Sequence, residues 1–466
     1  MMKTKNVFQK NNHDSTVAMS NLDTLSAAIK AACLAYVIWL PVSAGQILYP
    51  TLILLAAAST FDILRTQTRL ERPFVLGILL LSLSIAFGLA VGTLVNAPGI
   101  LHQTLVWAGG MSIWGLWTMG LKYNQLRLTF HITVGAIGLI SALMSLYTLG
   151  ELGYLPALIP SEIIEGQAAG IGEDATGATA FRFLSLSSLA AGAPLALSMA
   201  MVPGNKHFPH RRWLLLVTAL SLIAVVLSGR RAILGVTLLT PAILFATYVA
   251  FGRLNLTSII KHRVIAPSLV AAGAILVTVL SISSDLRERI QALWADTLAS
   301  FLGIGSIEVV AGFENRARVK QAGELLAAWS DSPLIGNGIG SVLASGFSRS
   351  QDRPWMFELQ YHLWLANSGI LGVGIGLFGL WLIFGAVRRT ASIVSPADQD
   401  ILAVTLTAAI CLFIANATNP YLQAIGHWWG VALIFGVSIA IWSSRDYSLS
   451  EATRYNDGNH RKHIQG

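Results

Sequence analysis

The sequence predicts an all-α protein built as a polytopic transmembrane bundle, and three observations carry that prediction. Hydrophobic residues make up 54% of the 466-residue chain against 12% charged, with a mean hydropathy of +0.63. Such a composition suits a chain whose main solvent is lipid. Apolar runs long enough to cross a hydrocarbon core of ~30 Å as helices recur along the whole length. Between them, Lys and Arg gather in alternate short loops, the mark of an oriented bundle.

Taken in order, the runs are Ser26 to Leu40, Gln46 to Leu64, Phe74 to Val95, Gln103 to Leu121, Phe130 to Leu149, Thr179 to Val202, Trp213 to Leu227, Ala232 to Phe251, Val264 to Ser283, Phe357 to Val387, Ile401 to Ala415 and Leu422 to Trp442. That makes about twelve spans on the length criterion. About nine fall in residues 26–283 and about three in 357–443, with one large loop, 284–356, between them. Residues 1–25 carry Lys3, Lys5 and Lys10 and are too long and polar ahead of their apolar run for a cleaved signal. They form a tail, as does the short charged stretch 444–466.

One set of loops holds Arg65, Arg69 and Arg72, then Lys122 and Arg127, then Lys206, Arg211 and Arg212, then Arg253, Lys261 and Arg263, then Arg388 and Arg389. The rule that keeps Lys and Arg inside assigns these, and both tails, to the cytoplasm. The alternate set faces outward: residues 96–102 have no Lys or Arg, and 151–178 carry Glu151, Glu162, Glu165, Glu173 and Asp174 with no basic residue. Much of the net charge of +8 therefore sets orientation and meets anionic headgroups, and it calls for no nucleic-acid partner. Cys33 and Cys411 lie far apart in apolar runs and offer neither a disulfide framework nor a metal knuckle.

Ser228-Gly229-Arg230-Arg231 breaks the pattern, because the same alternation puts this arginine pair outside. Arg182, near the outer end of its expected helix, and Arg316, in the large loop, join it. Guanidinium groups suit bidentate phosphate binding. No ATP is present outside, so a phosphate ligand there is expected to be lipid-linked.

The large loop is expected to contain an amphipathic helix from Glu314 to Ser330, with Val319, Ala322, Leu326 and Trp329 on one side, Asn315 as its cap and Asp331-Ser332-Pro333 as its end. Such a helix would lie on the membrane surface, either as a lid or as a holder of substrate. In Leu334-Ile335-Gly336-Asn337-Gly338-Ile339-Gly340, the Lys-Ser/Thr ending of a nucleotide-binding loop is missing. A tight turn that turns backbone N–H groups toward a ligand is the expectation. Glu358, Tyr361 and His362 then stand at i, i+3 and i+4, one helical face at the outer boundary. A carboxylate or an imidazole there can act as general base, while Trp355, Tyr361 and Trp364 also fit an interfacial aromatic belt, with His362 as an anchor.

The order of these parts resembles the O-antigen ligase and O-antigen polymerase superfamily over roughly Thr179 to Phe384. The resemblance rests on Ser-Gly-Arg at residues 228–230, Asp331-x-Pro333-Leu334-x-Gly336-x-Gly338 and Gly369-Ile370-Leu371-Gly372. It implies an inverting glycosyltransferase of the bacterial inner membrane, independent of metals and cofactors, with its active site facing the periplasm. The donor would be a polyprenyl-pyrophosphate-linked glycan. The acceptor would be lipid A core for a ligase, a second carrier-linked glycan for a polymerase, or a protein in a third branch. By the same resemblance, Arg182, Arg230 and Arg316 would grip the pyrophosphate, with Arg231 beside them. Glu358 stands where many ligases carry His, which tilts the expectation toward a polysaccharide polymerase with Glu358 as base and His362 behind it.

A transporter or flippase of lipid-linked sugars is the alternative from another class. Transporters tend to show repeated halves and polar helix breaks near mid-membrane. Here the polar residues, Asn416, Asn419, Gln423 and His427 among them, gather toward the outer side.

Overall fold

A computed structural model describes residues 21–42, 47–65, 70–173, 179–202, 204–228, 230–253 and 313–445. The expected span Val264 to Ser283, the first part of the large loop and most of both tails lie outside the described residues. The chain runs through α1 (Asn21–Trp39), α2 (Leu48–Arg65) and α3 (Arg72–Leu94). A run follows that is divided by the π turn Leu105–Gly109 into α4 (Ile100–Thr104) and α5 (Gly110–Gly120). Then come α6 (Leu126–Glu151), the short α7 (Ser161–Gly166), α8 (Leu189–Met201), α9 (Arg211–Leu227) and α10 (Arg231–Ala250). After the undescribed stretch stand α11 (Phe313–Asp331), α12 (Gln360–Ile393), α13 (Pro396–Asn416) and α14 (Ile425–Arg445). Among the described residues, nine helices are long and apolar enough to cross a membrane. The apolar α9, with 17 residues, and the run divided by the π turn stand beside them.

One element departs from the expected all-α fold. β1 (Gly170–Glu173) and β2 (Thr179–Arg182) pair antiparallel, with Gly170 opposite Arg182. Arg182 thus ends a strand, where the sequence placed it in the first turns of a helix. Thr179, Phe181 and Phe183 alternate β-favouring side chains, and Phe183 is itself extended, with φ −158 and ψ 122. Helical geometry begins only at the 3-10 turn Leu184–Ser188. Gln167 fastens this stretch: its side chain accepts from Ser185 N at 3.0 Å and donates to the carbonyl of Trp39 at 3.2 Å.

Every residue of α8 is buried, and the helix touches α6, α9, α10 and α13. The closest pair is α3 with α12, and glycine makes it possible. A Cβ at Gly77 would stand 2.8 Å from the Gly379 carbonyl, and one at Gly379 would stand 2.7 Å from the Gly77 carbonyl.

At one end of the bundle a buried ion cluster ties the first helices together. Lys30 Nζ donates to Asp62 at 2.5 Å, to the Gly120 carbonyl at 2.8 Å and to Gln125 at 2.7 Å. Lys122 bridges Asp23 at 2.9 Å and Asp62 at 3.1 Å. The same end joins Tyr123 to Asp398 at 2.8 Å, Arg389 to Glu71 at 3.0 Å, and Arg253 to Asp400. These are the termini at which the sequence groups its loop cations. At the opposite end α11 packs on the start of α12, where Tyr361 donates to the Phe413 carbonyl of α13 and Gln423, before α14, donates to Gln360.

Candidate functional site

The site is built where α11 lies against the approach to α12. Arg318, Gln321, Ala322 and Leu325 share a face at helical spacing. Leu325 packs in a small core with Phe357, Leu359, Leu363 and Ala366. Arg318 Nε donates to Glu358 at 3.0 Å, and Arg349 Nη2 donates to the other oxygen of that carboxylate. Gln321 is wholly buried, and with its amide turned so that the oxygen faces them it accepts the backbone N–H groups of Glu358 at 2.8 Å and Leu359 at 3.0 Å.

This arrangement revises the expected amphipathic stripe. Ala322 and Trp329 are partly buried, but Val319 is 63% and Leu326 41% exposed. The inward face is chosen by the ion pair and by the backbone donors that Gln321 satisfies, so two apolar residues are left outward. Asn315 lies inside α11, which begins at Phe313, and is not its cap. Glu358 and His362 do not share a helical face either, since α12 begins only at Gln360 and the two residues before it, whose N–H groups meet Gln321, lie outside the helix. His362 is half-buried in the first turn of α12. Trp355 packs on Gly99, where a Cβ would stand 2.4 Å from its ring, so it is no free belt residue.

Burial works to raise the Glu358 carboxyl, but the hydrogen bond from Arg349 and the charge and hydrogen bond of Arg318 outweigh it and hold the group below the usual carboxylate range. A carboxylate held in this way is a firm anchor and a weak base.

The glycine motif has a structural task. Gly336, Gly338 and Gly340 adopt φ of 73, 87 and 88, conformations open to glycine. Their loop hydrogen-bonds into the break in α12 at Gly369: Asn337 N to the Ala366 carbonyl at 2.8 Å, Gly338 N to the Asn367 carbonyl at 2.9 Å, and Ile370 N to the Pro333 carbonyl at 2.9 Å. Ile339 N reaches the Gly88 carbonyl of α3 at 2.8 Å. The N–H groups expected to face a ligand are thus taken by protein carbonyls, and the loop is a latch between α3 and α12.

Arg230 is the N-cap of α10, and its side chain is exposed. Its backbone N–H bonds Ser228 Oγ at 3.2 Å, which closes the turn from α9. Arg231 opens α10, Arg182 ends β2 and Arg316 lies in α11; the side chains of these three lie outside the described residues. Two cations at the positive end of a helix dipole oppose the usual preference and make that terminus a strong attractor of anions.

The turn before α14 connects these groups. Gln423 donates to the Phe357 carbonyl at 3.1 Å and to Gln360 at 2.7 Å. Burial pushes the Tyr421 hydroxyl up to about 12, while the charges of Arg230 and Arg318 pull it the other way, which places both guanidinium groups within electrostatic reach of one phenol. Beneath the turn lies a cavity of about 600 Å³ between α3, α5, α12 and α14. Leu81, Leu377, Leu380 and Phe435 line its apolar part, and Gln103, Gln360, Asn416 and Gln423 its polar end. Gln423 Oε1 is buried there without a hydrogen-bond partner.

Sequence reading singled out neither Gln321 nor Arg349, because an uncharged side chain and a loop arginine carry no pattern by themselves. Comparison with protein-family models finds no match for this chain, and comparison with curated proteins finds none either.

Proposed function

We propose that the chain is a membrane glycosyltransferase that draws glycan from a polyprenyl-pyrophosphate carrier at the outer leaflet, in the manner of O-antigen polymerases and ligases. One observation carries this reading: an apolar cavity inside the bundle ends in polar amides, with Gln423 Oε1 left unpaired, within electrostatic reach of Arg230 and Arg318 by way of Tyr421. A ligand that suits both is an amphiphile with a long hydrocarbon chain and an anionic head. The polyprenyl chain would occupy the cavity and the pyrophosphate would meet Arg230 and Arg318, with Arg231 and Arg316 beside them on α10 and α11 and Arg182 supplied by the end of β2. Guanidinium groups aimed at the departing pyrophosphate stabilise the charge that develops as the glycosyl bond breaks. Glu358, read from sequence as the base, here serves to hold Arg318 and Arg349. On this reading about twelve spans cross a bacterial inner membrane. The cation-rich end, with both tails, faces the cytoplasm, and residues 284–356 lie in the periplasm. Glutamate at 358 favours the polymerase over the ligase by the resemblance noted above.

The test uses the full chain in nanodiscs with a polyprenyl-pyrophosphate-linked oligosaccharide. Wild type is expected to release the carrier and lengthen the glycan, with Arg230→Ala and Arg318→Ala each slowed about 100-fold, as for loss of one charge-stabilising donor. Full release by both variants, or movement of intact donor across the bilayer without release, would replace this reading with carrier binding or transport.

A further inference from the structure

Glycosyl transfer to a hydroxyl needs a group to take its proton, and Glu358, tied to two guanidinium groups, is poorly suited to do so. A second pair, joined by hydrogen bonds rather than by ion pairs, adjoins the Tyr421 turn. His427 is buried, and its Nδ1 stands 2.9 Å from the Tyr421 carbonyl. A carbonyl only accepts, so Nδ1 carries the proton. In the neutral ring Nε2 is then an acceptor, and Ser187 Oγ stands 2.5 Å from it. Ser187 is half-buried, five residues after Arg182. Its hydroxyl has a second partner, the Leu184 carbonyl at 2.9 Å.

These two partners accommodate both states of a proton transfer. With neutral His427, the serine hydroxyl donates to Nε2. With imidazolium, Nε2–H donates to Oγ and the serine proton turns to the Leu184 carbonyl. No side chain needs to move, which is the preorganisation a relay requires.

We propose that Ser187 and His427 form the proton relay that activates the acceptor hydroxyl, an inference that rests on the glycosyl-transfer reading. The acceptor oxygen attacks the anomeric carbon on the face opposite the pyrophosphate. Its proton passes to Ser187 Oγ while the serine proton passes to His427 Nε2. The new C–O bond forms as the bond to pyrophosphate breaks, and the electron pair leaves on the pyrophosphate beside the arginines. Between turnovers His427 returns its proton through Ser187 to water. Ser187 is the catalytic residue, since it touches the acceptor. His427 acts through it.

The experiment compares wild type, Ser187→Ala, Ser187→Thr and His427→Asn in nanodiscs with the polyprenyl-pyrophosphate oligosaccharide. His427→Asn places an amide N–H where Nδ1–H meets the Tyr421 carbonyl, but supplies no base toward Ser187. The relay predicts that Ser187→Ala and His427→Asn lower kcat about 100-fold or more, with KM for the donor unchanged within about threefold, and that Ser187→Thr, which keeps the hydroxyl, restores most of kcat. Wild-type turnover with both variants within about threefold of its kcat overturns the relay and leaves the transferase reading standing. A wild type that turns over no donor overturns both. If His427→Asn fails to fold, the contrast between alanine and threonine at the half-buried Ser187 decides: equal rates in the two overturn the relay.

Discussion

At the scale of single residues, the end of the bundle where α11 meets α12 is organised around Glu358 as an acceptor of charge. Its carboxyl lies below its ordinary value in the folded state because two arginines outweigh its burial. A depressed value means that the folded protein gains stability above the unfolded carboxyl value of ~4.3, and that this gain is lost as pH falls through the folded value. Melting temperatures measured in detergent at successively lower pH should therefore drop for wild type below ~4.3 by an increment that Glu358→Gln lacks. At neutral pH the same variant should lose about 1 to 3 kcal/mol, since it leaves two guanidinium groups without their carboxylate. Gln321 tests the other support. Gln321→Leu orphans the N–H groups of Glu358 and Leu359 and should destabilise by about 2 kcal/mol in thermal denaturation. It should also slow transfer without any contact to substrate, because it loosens the residue that holds Arg318. Neither Gln321 nor the partnership of Ser187 with His427 was legible beforehand: these are ordinary polar residues, 240 positions apart in the second case, that gain meaning only when folding joins them.

At the scale of elements, the apolar runs announced most helices because each must satisfy its backbone internally in lipid. Boundaries failed where tertiary contacts outweighed hydropathy. Thr179 to Arg182 pairs as a strand, and the approach to α12 stays outside the helix, with Gln321 taking its N–H groups. Lys30 and Asp62 drew no notice, since each is a lone charge in an apolar run and only the fold makes them partners. The two glycine motifs behind the family resemblance are also accounted for by packing, since the 332–340 loop is hydrogen-bonded into the break at Gly369. A Cβ at Gly338 would stand 2.4 Å from Gly92 Cα, and one at Gly369 would stand 2.3 Å from the Leu334 carbonyl. Gly338→Ala should combine an unfavourable positive φ with a backbone clash, at a cost of about 3 kcal/mol. Thermal unfolding should show that loss, while Gly346→Ala, also at positive φ but with no atom within 4 Å, should lose only the conformational part, about 1 kcal/mol.

At the scale of the whole molecule, the proposed chemistry depends on sidedness, because the carrier must meet Arg230, Arg318 and Tyr421 at the outer leaflet. The fold supplies a strong internal constraint. Asp352 and Ser392 are both exposed and flank the single helix α12, so an α12 that crosses the bilayer puts them on opposite faces. The proposed topology puts Ser392, beside Arg388 and Arg389, on the cytoplasmic face. Both native cysteines, Cys33 and Cys411, are buried, so the background to thiol labelling should be low. In whole cells with the outer membrane permeabilised, Asp352→Cys should react with a membrane-impermeant maleimide and Ser392→Cys should react only after the inner membrane is broken. Reaction of Ser392→Cys in intact cells with protection of Asp352→Cys would invert the molecule. The arginines would then face cytoplasmic nucleotides rather than a lipid-linked pyrophosphate, and the transferase reading would lose its ligand. Equal labelling of the two would mean that α12 does not span, and the cavity it shares with α3, α5 and α14 could not open to the lipid chain at all.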